Sequence, residues 1–434
     1  MAHHVRNRQP ITPVILVLLF CAITFGPARR AQGQTYTVLY GFSTAVGNVG
    51  YGPVAGVTID RAGNLYGTTF RGGFGTGCYQ DGCGVVYRLA PRGGGWVYTP
   101  LYQFRGGADG SGPFARPVFG PDGSLYGTTF LGGTSCSGGC GVVFNLRPPA
   151  RPAPSPLASW TETVLYTFVG FNDGGNPGGG DLIFDSSGNI YGTTSEGGGG
   201  FCPGLGCGTV FELARSGQQW TESILHAFNQ TGDGNEPMGG VVFHQSGDLY
   251  GMTYGGGIRN AGTVYKLSPS GGGWQESFLY IFDGGHDGYG IFATPIFDSA
   301  GNIYGTTSDE GPGGAGTAFQ LVPSGGNWSL NTIHVFSGQF MQGPQSGLIM
   351  DAGGNLYGTT YNVGAYGYGA VFKLGFANGG WTYESLHDFC AGGPPCSDGA
   401  NPAGILSLDA SGNIYGTATT GGPSGGGVVF KIEP

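Results

Sequence analysis

Side chains that could perform acid–base chemistry are sparse in this chain, and one group of them falls in two successive loops. His286 lies in the first loop, and Asp309 and Glu310 lie in the second. A histidine with two carboxylates is a set that can exchange protons with a substrate or hold a cation. Charged residues are mostly solvated, so we interpret the three as exposed loop charges and retain them as the candidate catalytic residues.

Five further residues are candidates for ligand binding, three because they interrupt a pattern that the rest of the chain repeats and two because they offer an aromatic surface. Glu196, Arg259 and Asp287 are charged residues in loops, and Tyr366 and Tyr368 belong to the loop Gly-Ala-Tyr-Gly-Tyr-Gly. Tyrosine presents a broad apolar ring with a polar tip. Such a loop suits a sugar or a peptide ligand.

Oxygen-rich loops with an Asp-Gly pair form a third candidate site, for calcium. They include Asn-Asp-Gly-Gly-Asn-Pro around Asp173 and the related loops around Asp233 and Asp398. Carboxylate and carbonyl oxygens are calcium ligands. Asp-Gly is also an ordinary turn sequence, and its repetition favours the turn. We therefore expect no bound cofactor, with calcium as the alternative.

Three histidines occupy one repeated position, where the other copies have tyrosine: His226, His334 and His387. Because the position recurs through the chain, we interpret all three as packing residues. The sequence also lacks the Gly-x-Ser-x-Gly, His-Glu-x-x-His and Walker motifs that would indicate a known catalytic mechanism.

All of these candidate residues belong to a sequence that repeats along the chain. A phrase close to Gly-Asn-Leu-Tyr-Gly-Thr-Thr occurs seven times, at spacings of 53 to 65 residues. A period near 50 residues indicates a repeat architecture, in which residues shared by all copies hold the copies together. The seven tyrosines are Tyr66, Tyr126, Tyr191, Tyr250, Tyr304, Tyr357 and Tyr415.

Each copy contains four short segments rich in β-branched and aromatic residues and separated by Gly, Pro, Asn and Asp, which predicts four strands. Strand A follows a proline, strand B holds the tyrosine phrase, strand C resembles Gly-Val-Val-Phe, and strand D follows a tryptophan. The prolines are Pro53, Pro113, Pro177, Pro237, Pro295, Pro344 and Pro402. Seven such copies predict an all-β, seven-bladed β-propeller with four antiparallel strands per blade.

The two ends of the repeat region predict how the ring closes. The region opens with a lone D-type segment, 35–42, and ends with a C-type segment near Ile432. We expect the N-terminal strand to complete the last blade, which leaves no unpaired terminal edge.

Glycine follows the tyrosine in all seven B strands. A glycine inside a strand indicates close approach of another group, and we expect an aromatic ring from a neighbouring strand. Aspartates of the Asp-x-x-Gly-Asn corners, such as Asp185 and Asp351, are interpreted as turn residues rather than calcium ligands.

Residues 1–33 are predicted to be a secretory signal peptide, and residues 34–434 the propeller. Arg6 and Arg8 precede an apolar run, and Ala31-Gln32-Gly33 provides a small-residue cleavage site. The apolar run is shorter than the 18 to 20 residues or so that a membrane anchor needs, so we expect no membrane span in the mature chain. We expect a secreted protein, extracellular or periplasmic.

The eight cysteines beyond residue 33 form four closely spaced pairs, which in an exported chain predicts local disulfides. The spacings and the lack of histidine in these loops argue against zinc. The pairs are Cys78–Cys83, Cys136–Cys140, Cys202–Cys207 and Cys390–Cys396. The formal charge is −9, and no basic cluster occurs, so we expect no nucleic-acid partner.

The repeated phrases resemble a known family. Residues Tyr191–Thr194, Gly262–Leu267 and Trp160–Phe168 are similar to the GloVer-type tandem repeat of exported bacterial proteins, and His226-Ala227-Phe228 resembles the related HAF-type extracellular repeats. The resemblance covers the whole region after residue 33. It implies an extracellular or surface-associated protein, and it transfers no catalytic residue. Members often end in an anchoring segment, which the last residues here do not resemble.

Three functions remain open at this level. We favour a non-enzymatic, secreted scaffold that binds an extracellular carbohydrate or protein on its loop-rich face. The first alternative is a carbohydrate-active enzyme, a glycoside hydrolase or lyase, with its site at the mouth of the central channel. The second is a structural surface or adhesion module.

Overall fold

The computed structural model describes Met1 and residues 34–433, apart from 46–49, 76, 79–80, 137, 150–159, 172, 201, 203, 205, 218, 230–231 and 339–341. The predicted signal peptide thus falls outside the described residues, except for Met1. Gln34–Pro434 forms one unit.

Seven four-stranded antiparallel sheets, the blades of a propeller, form the framework of the described region. We number the blades by their A strands. The A strands are Thr58–Ile59, Val118–Phe119, Ile183–Phe184, Val242–Phe243, Ile296–Phe297, Ile349–Met350 and Ser407–Leu408. The B strands are Leu65–Thr69, Leu125–Thr129, Ile190–Thr194, Leu249–Thr253, Ile303–Thr306, Leu356–Thr360 and Ile414–Ala418.

The outer half of each blade is made of the two longer strands. The C strands are Val85–Arg92, Val142–Arg147, Thr209–Ser216, Thr263–Ser270, Gly314–Ser324, Ala370–Ala377 and Gly425–Glu433. The D strands of blades one to six are Gly95–Gln103, Thr161–Thr167, Gln219–Ala227, Gly273–Ile281, Asn327–Ser337 and Gly380–Asp388. The remaining elements are a 3-10 turn, Gly107–Asp109, and the two-residue strands Gly174–Gly175, Glu196–Gly197, Gly234–Asn235 and Gly255–Gly256.

The prediction of ring closure is confirmed. Thr35–Ser43 pairs antiparallel with Gly425–Glu433 and supplies the D strand of blade seven, with Thr37 opposite Lys431. The ring of Tyr36 also stacks on His387 of blade six, with the ring centroids 3.7 Å apart. The first strand therefore joins the last blade to its neighbour as well as completing it.

The glycine of each B strand makes room for an aromatic ring of the C strand in the same blade, as predicted. A Cβ on Gly192 would lie 2.7 Å from the ring of Phe211, and one on Gly67 would lie 2.4 Å from the hydroxyl oxygen of Tyr87. The same contact recurs in all seven blades. The repeated glycine is thus a packing requirement of the fold.

The repeated tyrosine packs between blades. The ring of Tyr126 in blade two meets Phe184 in blade three, with ring centroids 5.0 Å apart. Corner aspartates act as turn residues, as predicted: Asp351 Oδ1 accepts hydrogen bonds from the backbone nitrogens of Gly353 and Asn355, at 2.8 and 2.9 Å. Tyr357 donates its hydroxyl proton to the other oxygen of that carboxylate at 2.9 Å.

The A strands differ from the prediction, because each pairs over only two residues. The segment between the proline and the strand has no strand pairing, and its residues line the central channel. Pro295 was wrongly aligned with the other prolines, since it directly precedes its strand. Ile291 takes the proline's place in blade five: a Cβ on Gly262 would meet Ile291, as one on Gly84 would meet Pro113.

The B-to-C and D-to-A loops lie on the same side of the ring, which we call the loop-rich face. They pair with each other, as in the bridges Tyr51–Arg71 and Ser111–Leu131. The four predicted disulfides are confirmed in these loops, with Cα–Cα distances of 4.4 to 5.5 Å.

Four disulfides are consistent with an extracellular or periplasmic protein. In the part of the chain that the structure describes, no helix has the length and hydrophobicity that crossing a bilayer requires.

Candidate functional site

The central channel is lined by the extended segment that precedes each A strand. Its cavity has a volume of about 90 Å³ and is surrounded by residues of all seven blades. Because the chain runs from the loop-rich face into strand A, the first residues of each segment lie at the mouth and the later ones lie deeper. We call the residues two positions before each A strand the lower ring.

The lower ring holds an ion pair that breaks the repeat. Two residues before the A strand, three blades have glycine, and the others have threonine or isoleucine, whereas blades two and three have Arg116 and Asp181. Arg116 Nε lies 2.6 Å from Asp181 Oδ2, and the two side chains are only 21% and 20% exposed. Arg116 also donates from Nη1 to the hydroxyl oxygen of Ser407 in blade seven, at 3.0 Å. The guanidinium therefore spans part of the channel.

The carboxylate of this pair is incompletely satisfied. Burial raises the pKa of Asp181, and the charge and hydrogen bond of Arg116 oppose that rise. Oδ1 of Asp181 is buried without a hydrogen-bond partner among the described residues. Buried polar atoms in native proteins usually have a partner, so this oxygen is a place for a donor from a ligand or from water.

Aromatic side chains surround the mouth above the pair. Phe114 and Phe292 line the channel from blades two and five. Phe114 packs edge-on against Phe70, with ring centroids 5.9 Å apart, and Phe292 packs against Tyr254 at 5.0 Å. An apolar rim above a polar floor is the arrangement typical of small-molecule sites.

A groove of about 830 Å³ lies on the loop-rich face next to this mouth, between blades one and two. Its walls are the two disulfide-closed loops that contain Cys78–Cys83 and Cys136, and its floor includes Phe70 and Leu131. Since Phe70 contacts Phe114, one pair of rings separates the groove from the channel. The groove volume falls within the range of about 300 to 1,000 Å³ that is common for ligand sites.

The candidate catalytic residues lie in adjacent loops of blade five, as the sequence indicated. Residues Tyr289 and Asp309 form a bridge between the loops, and Ser308 donates its hydroxyl proton to the Asp309 carboxylate. Burial raises the pKa of Asp309. The ring of His286 is exposed and makes no hydrogen bond to Asp309 or Glu310 within the described residues. A catalytic role for the three stays a prediction.

The candidate ligand-binding residues are dispersed around the face. Asp287 turns inward: it is 5% exposed, and its carboxylate accepts a hydrogen bond from the hydroxyl of Tyr280 at 2.9 Å. Tyr366 is 50% exposed, whereas Tyr368 packs on the Cys390–Cys396 disulfide.

The two remaining charged candidates, Arg259 and Glu196, lie in loops of different blades. Arg259 is exposed and lowers the pKa of Asp283, although backbone hydrogen bonding from His286 is the larger cause. Glu196 pairs with Gly175 through the backbone, and burial raises its pKa. None of the five candidates borders the groove or the channel.

The candidate calcium ligands are engaged by protein donors. Tyr166 donates to Asp173 Oδ2 at 2.6 Å, and the backbone nitrogen of Val169 donates to Oδ1 at 2.8 Å. The backbone nitrogen of Cys390 donates to both oxygens of Asp398 at 3.1 Å. Asp233 lies 3.2 Å from the ring of His226. Calcium binding stays a prediction.

Sequence reasoning missed Arg116 and Asp181. The available signal was a charged residue at a position where three other copies have glycine. The signal was hidden because blade three has one extra residue between Pro177 and its A strand, and because Pro295 shifted the alignment of blade five.

Solved structures with similar folds are propellers of low sequence identity. A putative 6-phosphogluconolactonase from Bacteroides uniformis ATCC 8492 matches with a TM-score of 0.50 and 12% identity, over 78% of this chain and 86% of that chain. A protein of unknown function from Dyadobacter fermentans DSM 18053 matches with a TM-score of 0.45 and 12% identity, over 92% of this chain and 98% of that one. At 12% identity, the likeness to the Bacteroides uniformis protein supports the fold alone.

No curated protein matches the sequence. The model of one protein family, described as the Gloeobacter/Verrucomicrobia repeat, matches three times, over residues 28–199, 80–295 and 273–434. These overlapping matches cover nearly the whole chain and confirm the resemblance drawn from the repeated phrases. The chain belongs to the Gloeobacter/Verrucomicrobia repeat family.

Proposed function

We propose that this protein is a secreted binding protein that holds a carbohydrate chain on its loop-rich face, in the groove between blades one and two and at the channel mouth. The observation that carries the proposal is the unpartnered, buried Oδ1 of Asp181 beneath an aromatic rim. A hydroxyl group inserted from above would satisfy that oxygen.

The chemistry of the site matches a sugar. The apolar face of a pyranose packs on aromatic rings such as Phe70 and Phe114, and its hydroxyl groups both donate and accept hydrogen bonds. Asp181 accepts, and Arg116 presents several donors in a fixed plane. The groove has room for a few sugar residues, while the channel admits a single substituent.

Exposed apolar side chains on the same face support a contact surface. Five large hydrophobic residues in its loops are strongly exposed. They are Phe74 at 68%, Val169 at 46%, Phe171 at 59%, Ile258 at 83% and Tyr366 at 50%. The disulfide-closed loops support action outside the cytoplasm.

A glycan array, read with and without calcium, tests the proposal. We expect binding of a restricted set of glycans by the wild-type chain, and a loss of at least about tenfold in Phe114→Ala and Asp181→Asn. Phe376→Ala is the matched control, because Phe376 is 58% exposed on an outer strand, and it should bind normally. No binding to any glycan, or equal binding by the channel variants, would contradict the proposal.

The enzymatic alternative is supported by the half-buried carboxylate of Asp309, which accepts a hydrogen bond from Ser308 and whose pKa burial raises, as suits a general acid. It predicts release of reducing sugar from a polysaccharide, abolished in Asp309→Asn and retained in Phe114→Ala. Binding without turnover by the wild-type chain would exclude this alternative.

A further inference from the structure

Three sets of ionisable residues lie away from the channel, at the interfaces between blades. Each set joins a D-strand tyrosine or histidine, an aspartate of the following loop and a glutamate from the D strand of the next blade. The sets are Tyr102–Asp109–Glu162, Tyr166–Asp173–Glu222 and His226–Asp233–Glu276. Each glutamate stands two residues after a tryptophan.

In the two tyrosine sets, the hydroxyl donates to the aspartate, at 2.9 Å for Tyr102 and 2.6 Å for Tyr166. Burial, followed by the charge of the neighbouring aspartate, raises the pKa of Glu162 and of Glu222 to about 7. In all three sets, Oε1 of the glutamate is buried without a partner among the described residues. The interfaces thus contain acidic oxygen atoms that lack a positive partner.

The His226 set replaces the hydroxyl with an imidazole nitrogen. Nε2 of His226 lies 3.2 Å from Asp233 Oδ2 and 3.6 Å from Glu276 Oε2. One ligand atom from each of the three residues fits within 4.8 Å of the others, and the side chains are 19%, 8% and 12% exposed. Ligands about 2 Å from a tetrahedral ion lie about 3.3 Å apart, which is close to the distances from His226 Nε2 to the two carboxylates.

Among the described residues, the other two histidines at this position have no third ligand. Tyr383 stands where Glu276 stands in its blade, and its ring stacks on His334 with centroids 4.4 Å apart. Tyr36 occupies the same place against His387, at 3.7 Å. His334 and His387 therefore each pack on an aromatic ring, whereas His226 faces two carboxylates.

We propose that His226, Asp233 and Glu276 bind one divalent transition-metal ion across the interface of blades three and four. Zinc is the best match, because one imidazole and two carboxylates are ligands that it takes, with water completing an open site. The nitrogen ligand distinguishes this site from a calcium loop, which would use oxygen atoms alone. The ion would tie two blades together and neutralise the buried acidic pair.

The test measures zinc binding by isothermal titration calorimetry on the untagged, chelator-treated chain, together with the melting temperature at rising zinc chloride. The key variants are His226→Tyr, which installs the residue that this position has in other blades, and Glu276→Gln. The control is Glu222→Gln, which makes the equivalent change in a tyrosine set. We expect one zinc ion per wild-type chain and a melting temperature that rises with zinc concentration.

We expect both key variants to lose at least about tenfold in zinc affinity, and the control to stay within about twofold of the wild type, because only the His226 set offers a nitrogen ligand. No zinc binding by the wild-type chain overturns the proposal, as does undiminished affinity in both key variants. Binding of calcium but not zinc at this set also overturns it. If His226→Tyr fails to fold, Glu276→Gln alone decides.

Discussion

Removing the arginine of the channel pair should destabilise the propeller more than any other single change of a charged side chain in the channel. Arg116→Ala leaves the carboxylate of Asp181 without its partner, 2.6 Å away, in a site where it is only 20% exposed. Breaking a fully buried pair costs about 3–5 kcal/mol. Because a fifth of each side chain remains in contact with solvent, we expect a loss of about 2–3 kcal/mol in the free energy of unfolding.

The double variant Arg116→Gly with Asp181→Gly restores the residue that three other blades have at this position, and should lose less than about 1 kcal/mol, since an ion pair is replaceable when both partners go. Urea unfolding at pH 8 and pH 5 measures both. Without Arg116, the pKa of Asp181 rises further, so Arg116→Ala should be less destabilised at pH 5. A loss below about 0.5 kcal/mol for Arg116→Ala at pH 8 would refute the reasoning. A loss in the double variant equal to the sum of the losses in Arg116→Gly and Asp181→Gly would also refute it.

Three other predictions follow from the structure. Since the native pKa of Glu162 and Glu222 is about 7 against an ordinary 4.5, their contribution to stability is full below pH 4.5 and is lost as pH rises through 7. After solvent screening we expect about 1 kcal/mol each. Glu236 has φ 52, so Glu236→Asn should stabilise by about 0.5–1 kcal/mol in urea unfolding. Thr37→Cys with Lys431→Cys should form a disulfide, seen by peptide mass mapping, because the two residues pair directly.

Matched variants control these predictions. Glu162→Gln and Glu222→Gln should flatten the stability profile between pH 4.5 and 7, and an unchanged profile would exclude the two glutamates as its source. Asn176 occupies the position of Glu236 in blade three, with φ 53, so Asn176→Glu should destabilise by a similar amount. Thr37→Cys with Glu212→Cys, which uses the equivalent C-strand position of blade three, should not form an intramolecular disulfide.

The fold was predictable because it follows from residues that every copy shares. Gly192 must be glycine since Phe211 lies against it, and that requirement recurs in each blade. Ring closure followed from the types of the terminal segments, since an unpaired edge strand is avoided. Repetition of this kind makes local sequence and global architecture agree.

The candidate site was not predictable in the same way. Arg116 and Asp181 meet only because the segments before two neighbouring A strands line the same channel. Their equivalence shows only when the seven segments are aligned on their A strands, each of which is two residues long. Likewise, Glu276 is 50 residues from His226 in the chain, and its proximity appears only once blades three and four are packed together. Asp309 could be singled out from its loop, because a pattern-breaking residue is visible without any knowledge of packing, and its catalytic role stays a prediction.

The most direct test of the proposed function is a crystal structure of the protein bound to the glycan that binds most tightly on the array. We predict a sugar ring stacked on Phe70 or Phe114, with a hydroxyl group within hydrogen-bond distance of Asp181 Oδ1. A glycan bound at the blade-five loops, or anywhere outside the groove and the channel mouth, would contradict the account.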